Sequence, residues 1–244
     1  MCRTFYTALT LGDVSAPREY RQARFTRPAG GTEILLVRHG ESAPMREGVP
    51  VPLREGQGDP PLDPVGEEQA ASVSERLVVE DLAAIYVTTL QRTAQTAAPL
   101  AGRVGIEPVV EPDLREVFLG DWEGELFRKH AAERHPLAVR AFVEQRWDVI
   151  PGAEAPAHFA ERIRGAIGRI AERHRDQCVA VFTHGGVIAQ VISDATGSRP
   201  FAFLGADNGS ISHVVVDGAR WIVRRFNDTA HLDPGFSVAP EPMI

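Results

Sequence analysis

Short apolar runs alternate along this chain with segments whose apolar residues recur every three or four positions. Glu33-Ile34-Leu35-Leu36-Val37 is a brief run of the kind found in strands buried on both faces. Residues 84–88, 107–110 and 178–183 read the same way. Two late runs, about 210–216 and 220–226, flank Asp217-Gly218, a favoured hairpin turn. Between the runs, helical spacing starts at Asp63-Pro64, with Asp63 as N-cap and Pro64 in the first turn, and continues to about Val79. Further helices are expected over 91–101, 124–147 with a break at Pro136, 156–174 and 186–195. Residues 43–62 hold five prolines and read as one long loop, a feature that in compact domains is usually functional or disordered. The alternation predicts a three-layer α/β sandwich with a mainly parallel central sheet. The terminal hairpin adds at least one antiparallel strand. Residues 1–31 lack periodicity and end in Pro28-Ala29-Gly30-Gly31, so they read as an N-terminal extension. The domain proper is expected over 32–228, with an irregular tail over 229–244.

Composition narrows the functional classes. The chain has 244 residues, 43% of them hydrophobic and 24% charged, as in an ordinary globular protein. Its apolar runs all fall short of the ~20 residues of a membrane helix, so no membrane partner is expected. The first residues make a poor signal peptide, and Cys2 and Cys178 cannot build a disulfide framework. Together these favour the cytoplasm. Cys178 opens an apolar run and reads as a buried thiol. Net charge is −7, from 26 basic and 33 acidic residues, which disfavours nucleic acid as a partner.

Ligands of open α/β sheets bind beyond the carboxyl ends of strands, and five chemically apt residues lie there. Arg38 and His39 follow strand 33–37, Arg92 comes soon after 84–88, Glu116 follows 107–110 and its loop, and His184 directly follows 178–183. Singly, each has an ordinary structural explanation. Jointly they suit phosphoryl transfer. Arginines neutralise phosphate oxygens, a neutral imidazole attacks phosphorus, and a protonated carboxyl gives the leaving oxygen its proton.

The ordered motifs carry a specific resemblance. Leu36-Val37-Arg38-His39-Gly40-Glu41-Ser42 resembles the signature of the histidine phosphatase superfamily, the phosphoglycerate-mutase-like fold. Thr88 through Ala97 around Arg92, Leu114-Arg115-Glu116 through Gly124, and Thr183-His184-Gly185-Gly186-Val187 are similar to that family's further segments, in its order. With Pro61-Leu62-Asp63 and Gly66 through Ala70, the likeness spans about residues 33–226. It implies that His39 is the phosphorylated nucleophile, with Arg38, Arg92 and His184 around the phosphoryl group. Glu116 would be the proton donor and later the base that activates water. Asn208 matches a position near the phosphate pocket. Ser42 either touches phosphate or caps a turn.

Cationic neighbours should disfavour the imidazolium of His39, keeping a lone pair for attack. Glu116 has the opposite need, which burial or a nearby dianionic phosphate would meet. An activity optimum on the acidic side of neutral follows. No metal or other cofactor is expected, since His-Glu-x-x-His and Cys-x-x-Cys are absent. His130 and His135, five apart, read as surface residues.

The family holds hydrolases and mutases. Its mutase pattern has Trp-Asn where this chain has Pro44-Met45, and Tyr, Asn and Lys where it has Leu119, Leu126 and Phe127. Hydrolysis of a small phosphomonoester is therefore the expected reaction. Phosphoglycerate mutase activity and non-catalytic binding of a phospho-ligand are the alternatives. The leaving group should lie against loop 43–60 and region 124–155, where Arg46, Arg54, Phe118, Trp122 and Phe127 are candidate lining residues. Monomer and homodimer both stay open as assembly states.

Overall fold

The computed structural model describes residues 19–124, 126–233 and 235. Cys2, most of the expected extension and most of the expected tail lie outside them.

Strand β1 (Thr32–Arg38) leads into the proline-rich loop, which folds a two-residue-per-strand hairpin, β2 (Leu53–Arg54) and β3 (Gln57–Gly58). Glu55 (φ 50°) and Gly56 (φ 83°) form its turn, both left-handed, as a two-residue hairpin turn requires. Helix α1 (Pro64–Leu77) follows, capped by Asp63, whose side chain accepts from the Gly66 N–H. Strand β4 (Leu82–Val87) and helix α2 (Gln91–Val104) come next. Helix α2 outruns the expected end at 101 because Pro99 is accommodated and the left-handed Gly105 (φ 71°) ends it instead. Strand β5 is only Val109–Val110; Pro108, without an N–H, stays outside the ladder.

The expected break at Pro136 is present. Helix α3 (Leu126–Ala132) stops before Arg134 (φ 55°), and α4 (Pro136–Glu144) restarts with Pro136 in its first turn. Then come α5 (Pro156–Arg173), β6 (Cys178–Thr183), α6 (Gly185–Thr196), β7 (Ile211–Asp217) and β8 (Arg220–Asp228). Asp217 pairs with Arg220, so the hairpin turn is Gly218-Ala219, one residue later than expected. Cys178 is half-buried with a free thiol, pushed up by burial to about 12.

The six-stranded sheet has the order β5-β4-β6-β1-β7-β8. Strands β5, β4, β6 and β1 are parallel neighbours, and β7 runs antiparallel to both β1 and β8. Alternation along β1 separates two cores. Ile34 and Leu36 face Ile163, Ile167, Val187 and Ile188 of α5 and α6, whereas Leu35 and Val37 face Val73, Leu77, Ala97 and Leu100 of α1 and α2. Helices on both faces of a parallel sheet make the three layers. The pairings Leu36–Val181 and Tyr86–Val181 bring β1, β6 and β4 to a level finish. The residues just past them, His39, His184 and Thr88, are thereby set side by side. Among the described residues, no helix is long and apolar enough to cross a membrane.

Candidate active site

The level strand ends supply the centre of the site. His39 is 6% exposed and its backbone N–H bonds to the Thr183 carbonyl at 3.0 Å. Its ring Nδ1 lies 2.7 Å from the Gly40 carbonyl, which accepts only if Nδ1 carries the proton. The Arg92 Nε–H points at His39 Nε2 from 3.1 Å, so Nε2 holds the lone pair. Burial first, then the Arg92 and Arg38 guanidiniums, hold this imidazole well below the usual histidine range. The His184 ring stands 5.2 Å from the His39 ring, edge to face. It is also held well below the ordinary range, by burial and then by Arg92. Both histidines are therefore neutral near pH 7.

Arg92 begins α2 and is fixed by the Gly58 carbonyl at 3.0 Å and by the Asp59 carboxylate at 4.0 Å. Asp59 also takes the Gln91 N–H at 2.7 Å. Gln57 donates to the Glu116 carbonyl at 2.9 Å, and the Gly58 N–H to the Glu123 carboxylate at 2.8 Å. The proline-rich loop is thus an ordered strap across the site. Arg38 donates to the Ala206 carbonyl, and burial lowers it from the usual arginine value, opposed by the Glu116 carboxylate. Two buried nitrogens, Arg38 Nε and His184 Nδ1, have no partner within the protein. Buried polar groups are ordinarily paired, and an oxyanion with several acceptors suits such donors.

Glu116 reaches this cluster by a detour. The chain leaves β5, makes a short helical turn at Pro112–Leu114, and is tied over β6 by the Thr183 hydroxyl donating to the Leu114 carbonyl at 2.8 Å. Arg162 of α5 clamps the segment from behind. It donates to the carbonyls of Asp113 (2.6 Å), Arg115 (2.8 Å) and Glu116 (3.0 Å), while Glu154 neutralises it at 2.8 Å. The Glu116 carboxylate accepts the N–H groups of Val117 at 2.9 Å and Gly186 at 3.0 Å. A Cβ on Gly186 would stand 2.4 Å from Glu116 Oε1, so glycine is required for this approach.

Arg38, His39, Arg92 and Glu116 line one cavity of about 320 Å³. His184 is beside His39 but not on the lining, with its Nε2 3.0 Å from the Thr88 hydroxyl. The two looser candidates are placed differently. Asn208 donates to the His39 carbonyl at 2.9 Å, so it braces the loop carrying His39. The buried Ser42 hydroxyl accepts from Arg128 at 2.8 Å. Neither side chain lines the cavity.

Among the expected lining residues, Trp122 and Phe127 are on the wall, and Arg46, Arg54 and Phe118 are not. Phe118 sits between the inward Val117 and Leu119 on an extended segment and points outward, 36% exposed. His130 and His135 are not free surface residues. Both are half-buried against Trp122, at ring distances of 4.5 and 5.2 Å. Sequence reasoning passed over Arg128, Phe142 and Trp147 on the wall, and Thr88, which sits inside a recognised motif but carries no charge to mark it.

The model of the histidine phosphatase superfamily (branch 1) matches residues 34–229. The chain belongs to that superfamily. A metal-independent phosphoserine phosphatase of Arabidopsis thaliana is 34% identical, over 90% of this chain and 91% of that one. Phosphoserine phosphatase 1 of Hydrogenobacter thermophilus is 31% identical, over 82% and 94%. Among solved structures, a phosphoglycerate mutase from Bacillus anthracis superposes with a TM-score of 0.70, covering 83% of this chain and 96% of its own at 21% identity; it shares the fold. The present chain is a phosphatase of the histidine phosphatase superfamily, and the residues that carried the resemblance are those gathered around His39.

Proposed function

We propose that this phosphatase hydrolyses phosphomonoesters through a phosphohistidine on His39 Nε2. The observation that carries the reading is the polarity of the His39 ring. Nδ1–H is held by the Gly40 carbonyl at 2.7 Å, while Nε2 faces Arg92 at 3.1 Å in the cavity that also holds Glu116. A phosphoryl group entering there takes the Arg92 and Arg38 donors onto its oxygens. Nε2 attacks phosphorus, an N–P bond forms and the P–O ester bond breaks. Glu116 passes its proton to the departing oxygen, releasing the alcohol. Water then attacks the phosphohistidine, Glu116 takes the proton of that water, the N–P bond breaks and inorganic phosphate leaves.

His184 and Thr88 act together. The Thr88 hydroxyl donates to His184 Nε2, which leaves His184 Nδ1–H as a neutral donor to a phosphate oxygen. Asn208 and Ser42 support the site indirectly, through the His39 carbonyl and Arg128. Hydrolysis is favoured over a mutase reaction because Leu119 and Phe127, which replace polar residues of the mutase pattern, line the cavity and cannot hold a second anionic group.

The test is hydrolysis of an aryl phosphate by the wild type and by His39→Ala. Loss of turnover in the variant supports the assignment; equal rates remove His39 from the mechanism. Robust interconversion of phosphoglycerates in a coupled assay would replace hydrolysis by the mutase reading.

A further inference from the structure

Beyond its phosphate end, the cavity changes character. Leu119, Trp122, Phe127, Phe142, Trp147 and Leu204 contribute apolar lining, and four of them, Trp122, Phe127, Phe142 and Trp147, are joined by ring contacts into one aromatic wall. Its volume of about 320 Å³ is at the small end of the range for organic ligands, and exceeds what a bare phosphate fills. We propose that the preferred substrates are phosphomonoesters of bulky, uncharged alcohols carrying a ring, seated on this aromatic wall. The proposal rests on the hydrolytic reading above and adds the class of leaving group.

The wall is built rather than incidental. Phe127 packs on Phe142 at 6.4 Å and edge-on to Trp147 at 5.5 Å, and Trp147 meets Phe201 at 4.6 Å. Trp122 is backed by His130 and His135. Side chains locked by their neighbours lose little freedom when a ligand binds. They offer ring faces and edges to a substrate ring.

Charged leaving groups fare badly here. An ammonium shares the cavity with Arg38, Arg92 and Arg128, and the two carboxylates lining it already accept backbone N–H groups. Glu116 takes those of Val117 and Gly186, and Glu123 those of Gly58 and Leu119. A carboxylate on the alcohol would lose water against hydrocarbon. Arg128 does not relieve this. It donates to Ser42 and Ala43, just after the loop that carries His39, which places it toward the phosphate end. The prediction therefore separates this enzyme from relatives described as phosphoserine phosphatases.

The experiment compares kcat/KM for 2-phenylethyl phosphate, ethyl phosphate, O-phosphoserine and 3-phosphoglycerate. The first two have alcohols of similar leaving ability, so their ratio reports the wall. A buried ring should favour phenylethyl over ethyl phosphate by roughly ten- to a hundredfold, with both charged esters below phenylethyl phosphate. Phe127→Ser should shrink the phenylethyl-to-ethyl ratio through KM, and Phe142→Leu serves if that variant does not fold. A ratio near one, or a preference for phosphoserine or 3-phosphoglycerate, overturns the proposal while His39-dependent hydrolysis stands. Failure to hydrolyse any ester, p-nitrophenyl phosphate included, overturns the hydrolytic reading and this proposal with it.

Discussion

The two ends of the cavity are held by different means. At the phosphate end, His39, Arg92 and Glu116 each have backbone partners, and the strands beneath them end in register. At the other end, α3, α4 and the segment around Phe201 hold side chains by ring contacts and apolar packing on the core. Backbone hydrogen bonds fix atoms to the tolerance that in-line attack requires. Ring packing fixes a surface and leaves chemistry to whatever lies beside it. Changes at the first end should therefore reduce kcat for every ester, whereas changes at the second should sort esters by their alcohols.

The comparison is broken most severely at His39. His39→Ala should lower kcat on the order of 10⁴-fold or more for all esters, as expected for loss of a nucleophile. Glu116→Gln should cost about 10²- to 10⁴-fold with alkyl phosphates and far less with p-nitrophenyl phosphate, whose leaving group departs unprotonated. An equal loss with both would remove Glu116 as the proton donor. Gly186→Ala introduces a Cβ 2.4 Å from Glu116 Oε1. Displacing that carboxylate by about 1 Å should lower kcat about 10²-fold while the urea midpoint barely moves. A drop in the midpoint without loss of kcat would mean that the glycine serves packing only.

How these residues are legible in the sequence differs just as the two ends do. The strand-end residues are readable because short continuous apolar runs and the residues after them locate the carboxyl edge of a parallel sheet, where ligands bind. Glu116 is readable for another reason. Its strand is only Val109–Val110, and the detour through Leu114 and the Arg162 clamp has no local signature, so the strand-end argument reaches it only across a loop and the family motif adds the stronger pointer. The aromatic wall is hardly readable. Leu204 is far in sequence from Phe142 and Trp147, each fits a core position equally well, and only tertiary packing brings them to one surface. Ser42 shows the converse. Its place beside the His39 motif leaves a phosphate contact and a turn cap both open, and its bridge pairing with Leu62 and its bond to Arg128 are visible only in the fold. The proline-rich loop looks structureless by composition, and it orders because Gly58, Asp59 and Gln57 are all tied to the site.

Smaller effects sharpen the phosphate end. Thr88→Val leaves His184 Nε2 without its hydroxyl partner and should reduce kcat about tenfold, the order of one lost hydrogen bond. Thr88→Ser should restore it. An unchanged rate in the valine variant would take Thr88 out of the mechanism.

Titration gives the mildest test. His39 and His184 are held below their unfolded value of about 6.5. Between the folded and unfolded pKa the unfolded chain binds more protons, so their contribution is full above about pH 6.5 and is lost as pH falls below it. The slope is at most about 1.4 kcal/mol per pH unit for each histidine. His184→Asn should remove up to one such share between pH 6.5 and 5 in urea melts. An unaltered slope would show that His184 is not neutral in the folded state. Over the same range His39 keeps its lone pair for attack, so activity should not fall through its protonation, and a rate lost with a midpoint at about pH 6.5 would contradict it.

The phosphoryl intermediate itself offers the most direct measurement. Glu116→Gln, mixed with p-nitrophenyl phosphate, whose leaving group needs no proton, and quenched within a turnover in alkali, should carry one phosphoryl group on the peptide containing His39. Phosphorus NMR should place it on Nε2, since Nδ1 is engaged by the Gly40 carbonyl. Phosphate on Nδ1, on another residue, or on none while the wild type turns over would contradict the mechanism.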